Sequence, residues 1–257
     1  MVGSAAGGRS ARRGRRVSVH LIGGGGGAEH DSDLYGAFLS EARARAVDAG
    51  RIEGPRIAIV VVHDGLGPEA CSGYAATLAS VGQLEPVPVL KPEGGRIDPS
   101  VFDGVDGILV GGGLTPAYRD ALEPSFARLR DLVSSGTPYA GFSAGAAIAA
   151  DRAIVGGFRI GGVVVAPEEA AEELDEVTVL EGIGLVDVSI DVHAAQWGTL
   201  GRLVAAVEAG LVDGGVAIDE STVLTVGTGA LRVSGAGSVW RASAGEAGVL
   251  VATLAAG

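Results

Sequence analysis

Ser143 stands in Tyr139-Ala140-Gly141-Phe142-Ser143-Ala144-Gly145-Ala146-Ala147, a Gly-x-Ser-x-Gly frame between a β-prone run and an alanine-rich helical one. That order is the form of a nucleophile elbow, where a sharp strand-to-helix turn lifts one side chain above a sheet. Glycine on both sides suits such a turn, because a larger Cβ would meet the neighbouring strand or helix. A serine hydroxyl attacks usefully only when a base takes its proton, and a third group must hold that base in the right tautomer. The bland alternative is a tight turn around a buried serine, and five residues alone do not decide between the two.

The histidines available as a base are His20, His30, His63 and His193. His20 falls inside the first apolar run and reads as structural, while His30 and His63 fall in loops at strand ends. His193 closes Ser189-Ile190-Asp191-Val192-His193, at the carboxyl end of an expected strand and on the edge to which the elbow points. Downstream, Asp219 and Glu220 end one expected strand just before another begins. Neighbouring residues on a strand end point opposite ways, so both remain candidates for the acid. Gly111-Gly112-Gly113 follows a further buried strand and reads as a strand-to-loop turn.

The elements that must position these groups are legible as alternating apolar and helical runs. Strands are expected over 17–22, 56–62, 86–90, 105–110 and 137–142, and helices over 33–49, 68–82 and 117–135. Nearly continuous apolar strands between helices indicate a mostly parallel sheet covered on both faces, with ligands beyond the carboxyl ends of the strands. After residue 155 the pattern changes. Strands are expected over 158–165 and 185–190, a helix over 200–209, and short strands over 215–218, 222–226, 230–233, 237–241 and 248–254. These read as an antiparallel C-terminal extension of the same sheet. Residues 1–16 read as a disordered basic tail, 17–257 as a single α/β domain, and 167–176 as an acidic surface segment.

Composition narrows the function classes. Of 257 residues 47% are hydrophobic, enough for a substantial core, and the net charge of −12 argues against a general binder of nucleic acid or anionic membranes. No apolar run reaches the roughly 20 residues that span a bilayer. The lone Cys71 forms no internal disulfide and fits a reducing, cytoplasmic compartment. No His or Cys cluster has metal-ligand spacing, so neither a metal nor a cofactor is expected. The five glycines at 23–27 lack a following Lys-Ser/Thr, and Glu29 and Asp31 would repel phosphate, which argues against a nucleotide loop.

Taken together, the serine, histidine and acid segments and the triple glycine resemble the serine peptidases of the cyanophycinase and dipeptidase E family. The resemblance spans residues 17–257 and implies a class I glutamine amidotransferase-like α/β fold. Carried onto this chain, it implies Ser143 as nucleophile, His193 as general base and then acid, and Glu220 as the group that orients His193, with Asp219 its close competitor. It implies an oxyanion hole from the Ala144 N–H and one N–H of Gly112 or Gly113. The expected reaction is hydrolysis of a small peptide or isopeptide substrate next to an aspartyl residue. Glutamine amidotransferase chemistry is disfavoured, because it uses a cysteine at the elbow.

The recognition segments depart from that family. Val192 stands where glutamine is usual, Trp197 and Thr199 where arginine is frequent, and Leu114-Thr115-Pro116-Ala117-Tyr118 where the loop is usually more polar. Asp191, Arg202 and Thr115 are the remaining candidates for substrate contact. A repurposed, non-catalytic member binding a small molecule or partner in the same cleft is the alternative, and a homodimer is left open.

Overall fold

Along 56–63 the side chains of Ile57, Ile59 and Val61 face one way and those of Ala58, Val60 and Val62 the other, and both sets are buried in separate apolar clusters. A strand buried on both faces must lie inside a sandwich of helices. The computed structural model describes residues 18–227 and 229–256. The basic N-terminal segment and Val17 lie outside the described residues.

In chain order the first part runs β1 (Val19–Ile22), α1 (Asp31–Asp48), β2 (Arg56–His63), α2 (Gly67–Val81), β3 (Glu85–Pro92), β4 (Gly107–Val110), α3 (Thr115–Leu122), α4 (Phe126–Ser134), β5 (Tyr139–Phe142) and α5 (Ala144–Ala147). The second part comprises β6 (Arg152–Gly156), β7 (Arg159–Ile160), β8 (Val163–Val164), β9 (Thr178–Glu181), β10 (Ser189–Val192), α6 (Leu200–Glu208), β11 (Gly214–Ile218), β12 (Thr222–Val226), β13 (Arg232–Gly235), β14 (Ser238–Gly245) and β15 (Gly248–Ala255).

A seven-stranded sheet has the order β13-β12-β1-β5-β4-β2-β3. Its members from β1 to β3 pair in parallel, and β12 and β13 close one side antiparallel. Helices α1 and α2 cover one face through Leu34, Phe38, Ala42 and Leu78, and α3 and α4 cover the other through Tyr118, Leu122 and Leu129. This is the mostly parallel, two-faced α/β arrangement expected, consistent with a class I glutamine amidotransferase-like fold.

Three expectations of the fold need correction. The C-terminal strands do not all extend one sheet. β11, β14 and β15 join β10 in a separate four-stranded sheet, order β10-β11-β14-β15, packed on α6 through Leu203, Ala206, Ala217 and Ala242. The chain crosses between the sheets at 219–221, where Asp219 ties the loop down. Its carboxylate accepts from the N–H groups of Ala195 and Ser238 and from Trp240 Nε1, at 3.1, 2.9 and 3.0 Å. The helix expected over 117–135 is broken by a 3₁₀ turn at Glu123–Ser125. Pro124 has no N–H to continue the helical ladder.

The segment expected as one strand over 158–165 is a two-residue hairpin, β7 with β8, turned at Gly161 and Gly162. The acidic segment holds only a 3₁₀ turn at Glu168–Ala170. Among the described residues no helix is long and apolar enough to cross a membrane.

Candidate active site

β5 delivers Ser143 to the carboxyl end of the parallel strands, between β1 and β4. Its backbone stands at φ 51°, ψ −110°, a conformation a non-glycine residue holds only when its surroundings enforce it. The enforcement is visible. The Ser143 N–H donates to Ile22 O at 2.9 Å, and its carbonyl accepts from Ala146 and Ala147 at 2.8 and 3.0 Å. A Cβ on Gly141 would stand 2.3 Å from Gly145 O, and one on Gly145 would stand 2.3 Å from Val110 O. Both glycines of the frame are therefore fixed by close packing of elbow against sheet.

The Ser143 hydroxyl lies 2.8 Å from His193 Nε2, and His193 Nδ1 lies 2.7 Å from Glu220 Oε1. A carboxylate only accepts, so Nδ1 carries the proton and Nε2 is left to accept from the serine. Glu220, not Asp219, meets the histidine, because Asp219 turns to the opposite side of the crossing loop. Ser143 and His193 are buried, while Glu220 keeps 28% of its side-chain surface exposed. Burial lowers the His193 pKa, and the bond and charge of Glu220 oppose it only in part. The imidazole is neutral near neutral pH and ready to take a proton.

His20, His30 and His63 lie elsewhere. His20 Nδ1 bonds Thr225 Oγ1 inside the sheet, His63 Nδ1 accepts from Gly65 N–H, and His30 lies beside Glu29.

Gly112 and Gly113 follow β4 beside the serine. The Gly112 N–H donates to the Tyr74 hydroxyl at 2.8 Å, and its carbonyl accepts from the Tyr118 hydroxyl at 2.9 Å. The peptide is planar and trans, so anchoring the Gly112 carbonyl sends the Gly113 N–H the opposite way. Among the described residues, neither the Gly113 N–H nor the Ala144 N–H has a hydrogen-bond acceptor. Gly112 itself is not a free donor.

Three supports escaped the sequence reading. Backbone at Gly23, Gly24 and Gly25 cradles the relay. A Cβ on Gly24 would fall 2.0 Å from His193 Cε1, and one on Gly25 would fall 2.7 Å from Glu220 Cβ. A run of glycines at the end of a strand signals such close approach, and it was legible only as an unlikely phosphate loop. Trp197 stacks on the His193 ring at 3.9 Å between centroids and 8° between planes. Gln196 Oε1 accepts from the Glu220 N–H at 2.9 Å.

Asp191, Arg202 and Thr115 do not line the cleft. Arg202 Nε and Nη2 donate to the two carboxylate oxygens of Asp191 at 2.8 and 2.7 Å, and Nη1 donates to the carbonyls of Gly157 and Ala170 at 3.1 and 2.6 Å. Both side chains are buried, and their polar groups are taken up by each other and by nearby backbone. Thr115 is buried at the start of α3, its N–H donating to Glu172 at 2.9 Å. Burial raises the pKa of that carboxyl.

The cleft in front of Ser143 measures about 770 Å³. Its far wall is the acidic segment, which contributes Glu168, Glu169, Glu172, Glu173 and Asp175. Among the described residues no group of three or more His, Cys, Asp or Glu is placed to hold a metal ion.

No protein-family model matches the sequence, and no curated protein matches it significantly. Solved structures do. A peptidase from an acI-B1 Actinobacterium superposes with a TM-score of 0.64 at 18% identity, over 95% of this chain and 96% of that one. A protein of Listeria monocytogenes EGD-e described as a candidate peptidase E superposes with a TM-score of 0.51 at 13% identity, over 86% of this chain and 99% of that one. The likeness is one of fold.

Proposed function

We propose that the protein is a serine-type amide hydrolase, acting on a peptide or isopeptide bond next to an aspartyl residue. The observation that carries the reading is the continuous relay from Ser143 Oγ through His193 to Glu220, mounted on a strained elbow. The resemblance of the three motif segments to aspartyl-directed peptidases supports the choice of bond.

In the reaction, His193 Nε2 takes the hydroxyl proton as Ser143 Oγ attacks the scissile carbonyl carbon. The N–H groups of Gly113 and Ala144 receive the negative charge that develops on the carbonyl oxygen. Donors already fixed by the fold need no reorganisation at that moment, and each is typically worth about 10²–10³ in rate. His193 then gives the proton to the leaving amine, and the acyl-serine forms as the C–N bond breaks. Water, deprotonated by the same His193, releases the acid and restores the serine. Glu220 stabilises the imidazolium in both halves, and Trp197 supports it from the ring face.

Ser143→Ala is expected to abolish hydrolysis of α- and β-aspartyl dipeptides while circular dichroism and the melting temperature stay close to those of the parent. A fluorophosphonate probe should label the parent and neither Ser143→Ala nor His193→Ala. Turnover unchanged in Ser143→Ala would refute the assignment.

A further inference from the structure

A second cavity, of about 500 Å³, adjoins the cleft on the far side of Tyr74 and Phe142. These two rings line both spaces and meet edge to face at 5.7 Å and 71°, so they form a partition rather than a floor. Phe142 immediately precedes Ser143, which puts the second cavity one residue from the nucleophile. Its other walls include the 25–27 glycines, Leu34 and Tyr35 of α1, and Gly73 of α2. Of these only Gly25 also touches the hydrolytic relay, packing against Glu220.

Tyr35 sets the chemistry of this space. Its side chain is buried, with 3% of the residue exposed, yet its hydroxyl has no hydrogen-bond partner among the described residues. Among the described residues the sealed, partnerless side-chain polar atoms are His20 Nε2 and Thr137 Oγ1, and the Tyr35 hydroxyl is not one of them. Tyr35 lines the cavity, and its hydroxyl is not sealed off. Burial, with Tyr74 and Asp31 nearby, raises its pKa, so it stays protonated and is able to donate as well as accept. Asp31 lines the same space, one oxygen accepting from the Ser80 hydroxyl at 3.2 Å, and it disfavours an acidic occupant. A wholly apolar occupant would cover the Tyr35 hydroxyl and return no hydrogen bond to it.

We propose that this cavity is a second recognition subsite, taking a non-acidic side chain with an aromatic-sized apolar body and a terminal hydroxyl that bonds Tyr35, as tyrosine does. Its occupant and the scissile bond belong to one substrate laid across the Tyr74–Phe142 partition. Only that last statement rests on the hydrolase reading; binding in the cavity does not.

The test uses the full chain carrying Ser143→Ala, titrated with N-acetyl-tyrosinamide and N-acetyl-phenylalaninamide and followed by amide chemical shifts. The tyrosine ligand should bind about tenfold more tightly, the worth of one hydrogen bond made in a desolvated site. Adding Tyr35→Phe should erase that difference, and it removes a hydroxyl that no neighbour uses. Adding Gly73→Leu should weaken both ligands about tenfold, because a Cβ there meets no atom within 4 Å and the longer side chain fills the cavity.

Equal binding of the two ligands, or a tyrosine preference that survives Tyr35→Phe, would overturn the proposal. Fluorophosphonate labelling of the unmutated chain separates the two readings. Selective binding without labelling removes the hydrolase assignment alone, and labelling without selective binding removes the subsite alone.

Discussion

At His193 burial favours the neutral ring, while the Glu220 carboxylate favours the charged one, and burial prevails. The sign of the pH dependence follows. kcat/KM should rise with pH as His193 loses its proton, with a midpoint below the ordinary histidine value of about 6.5. Glu220→Gln removes the opposing influence, so the midpoint should move lower still. The same change offers Nδ1 an amide that donates as readily as it accepts, and kcat should fall about 10³–10⁴-fold. A pH–rate profile of the two proteins checks both statements, and a midpoint that rises in Glu220→Gln would contradict them. Ser143 and His193 were legible because an elbow and a strand end leave local marks in sequence. The choice of Glu220 over Asp219 was legible only through the family resemblance, since strand alternation stops where the chain leaves one sheet for the other. Trp197 left no mark, because stacking depends on where the backbone turns after His193.

Among elements, the Asp191–Arg202 pair joins β10 to α6 and, through Gly157 and Ala170, to the chain at the base of the acidic wall. Removing one partner of a buried, fully bonded pair strands the other charge, at a cost of about 3–5 kcal/mol. Arg202→Ala should therefore lower the urea midpoint by a corresponding amount and loosen the wall, with hydrogen exchange rising first around 157–171. A variant as stable as the parent would show that the pair is dispensable. The family resemblance suggested both residues for substrate contact, but a matching residue type cannot tell a charge offered to a ligand from one consumed internally. The helices and parallel strands were readable from period and turn residues. β6 and β9 were not, because their pairing joins two short runs across an intervening hairpin and acidic turn.

On the scale of the whole molecule, Ser143 follows a strand of one sheet while His193 follows a strand of the other, and Glu220 sits on the chain that crosses between them. Gly23 and Gly24 fill the seam: the Gly23 carbonyl accepts from His193 N–H at 2.9 Å, and the Gly24 carbonyl accepts from Ser221 N–H at 2.8 Å. Gly24 adopts φ +104°, and a Cβ there would overlap the imidazole. Gly24→Ala should thus cost about 10²-fold in kcat through displacement of His193, with KM far less affected. Retention of full kcat would count against the cradle. The seam also dictates an order of events during synthesis. Ser143 emerges from the ribosome 50 residues ahead of His193, and His193 a further 27 ahead of Glu220. β1, though first made, has to wait for β12 before both of its edges are paired. In a nascent chain Ser143 therefore lacks both partners of its hydrogen-bond relay until residues as far as Glu220 have been translated.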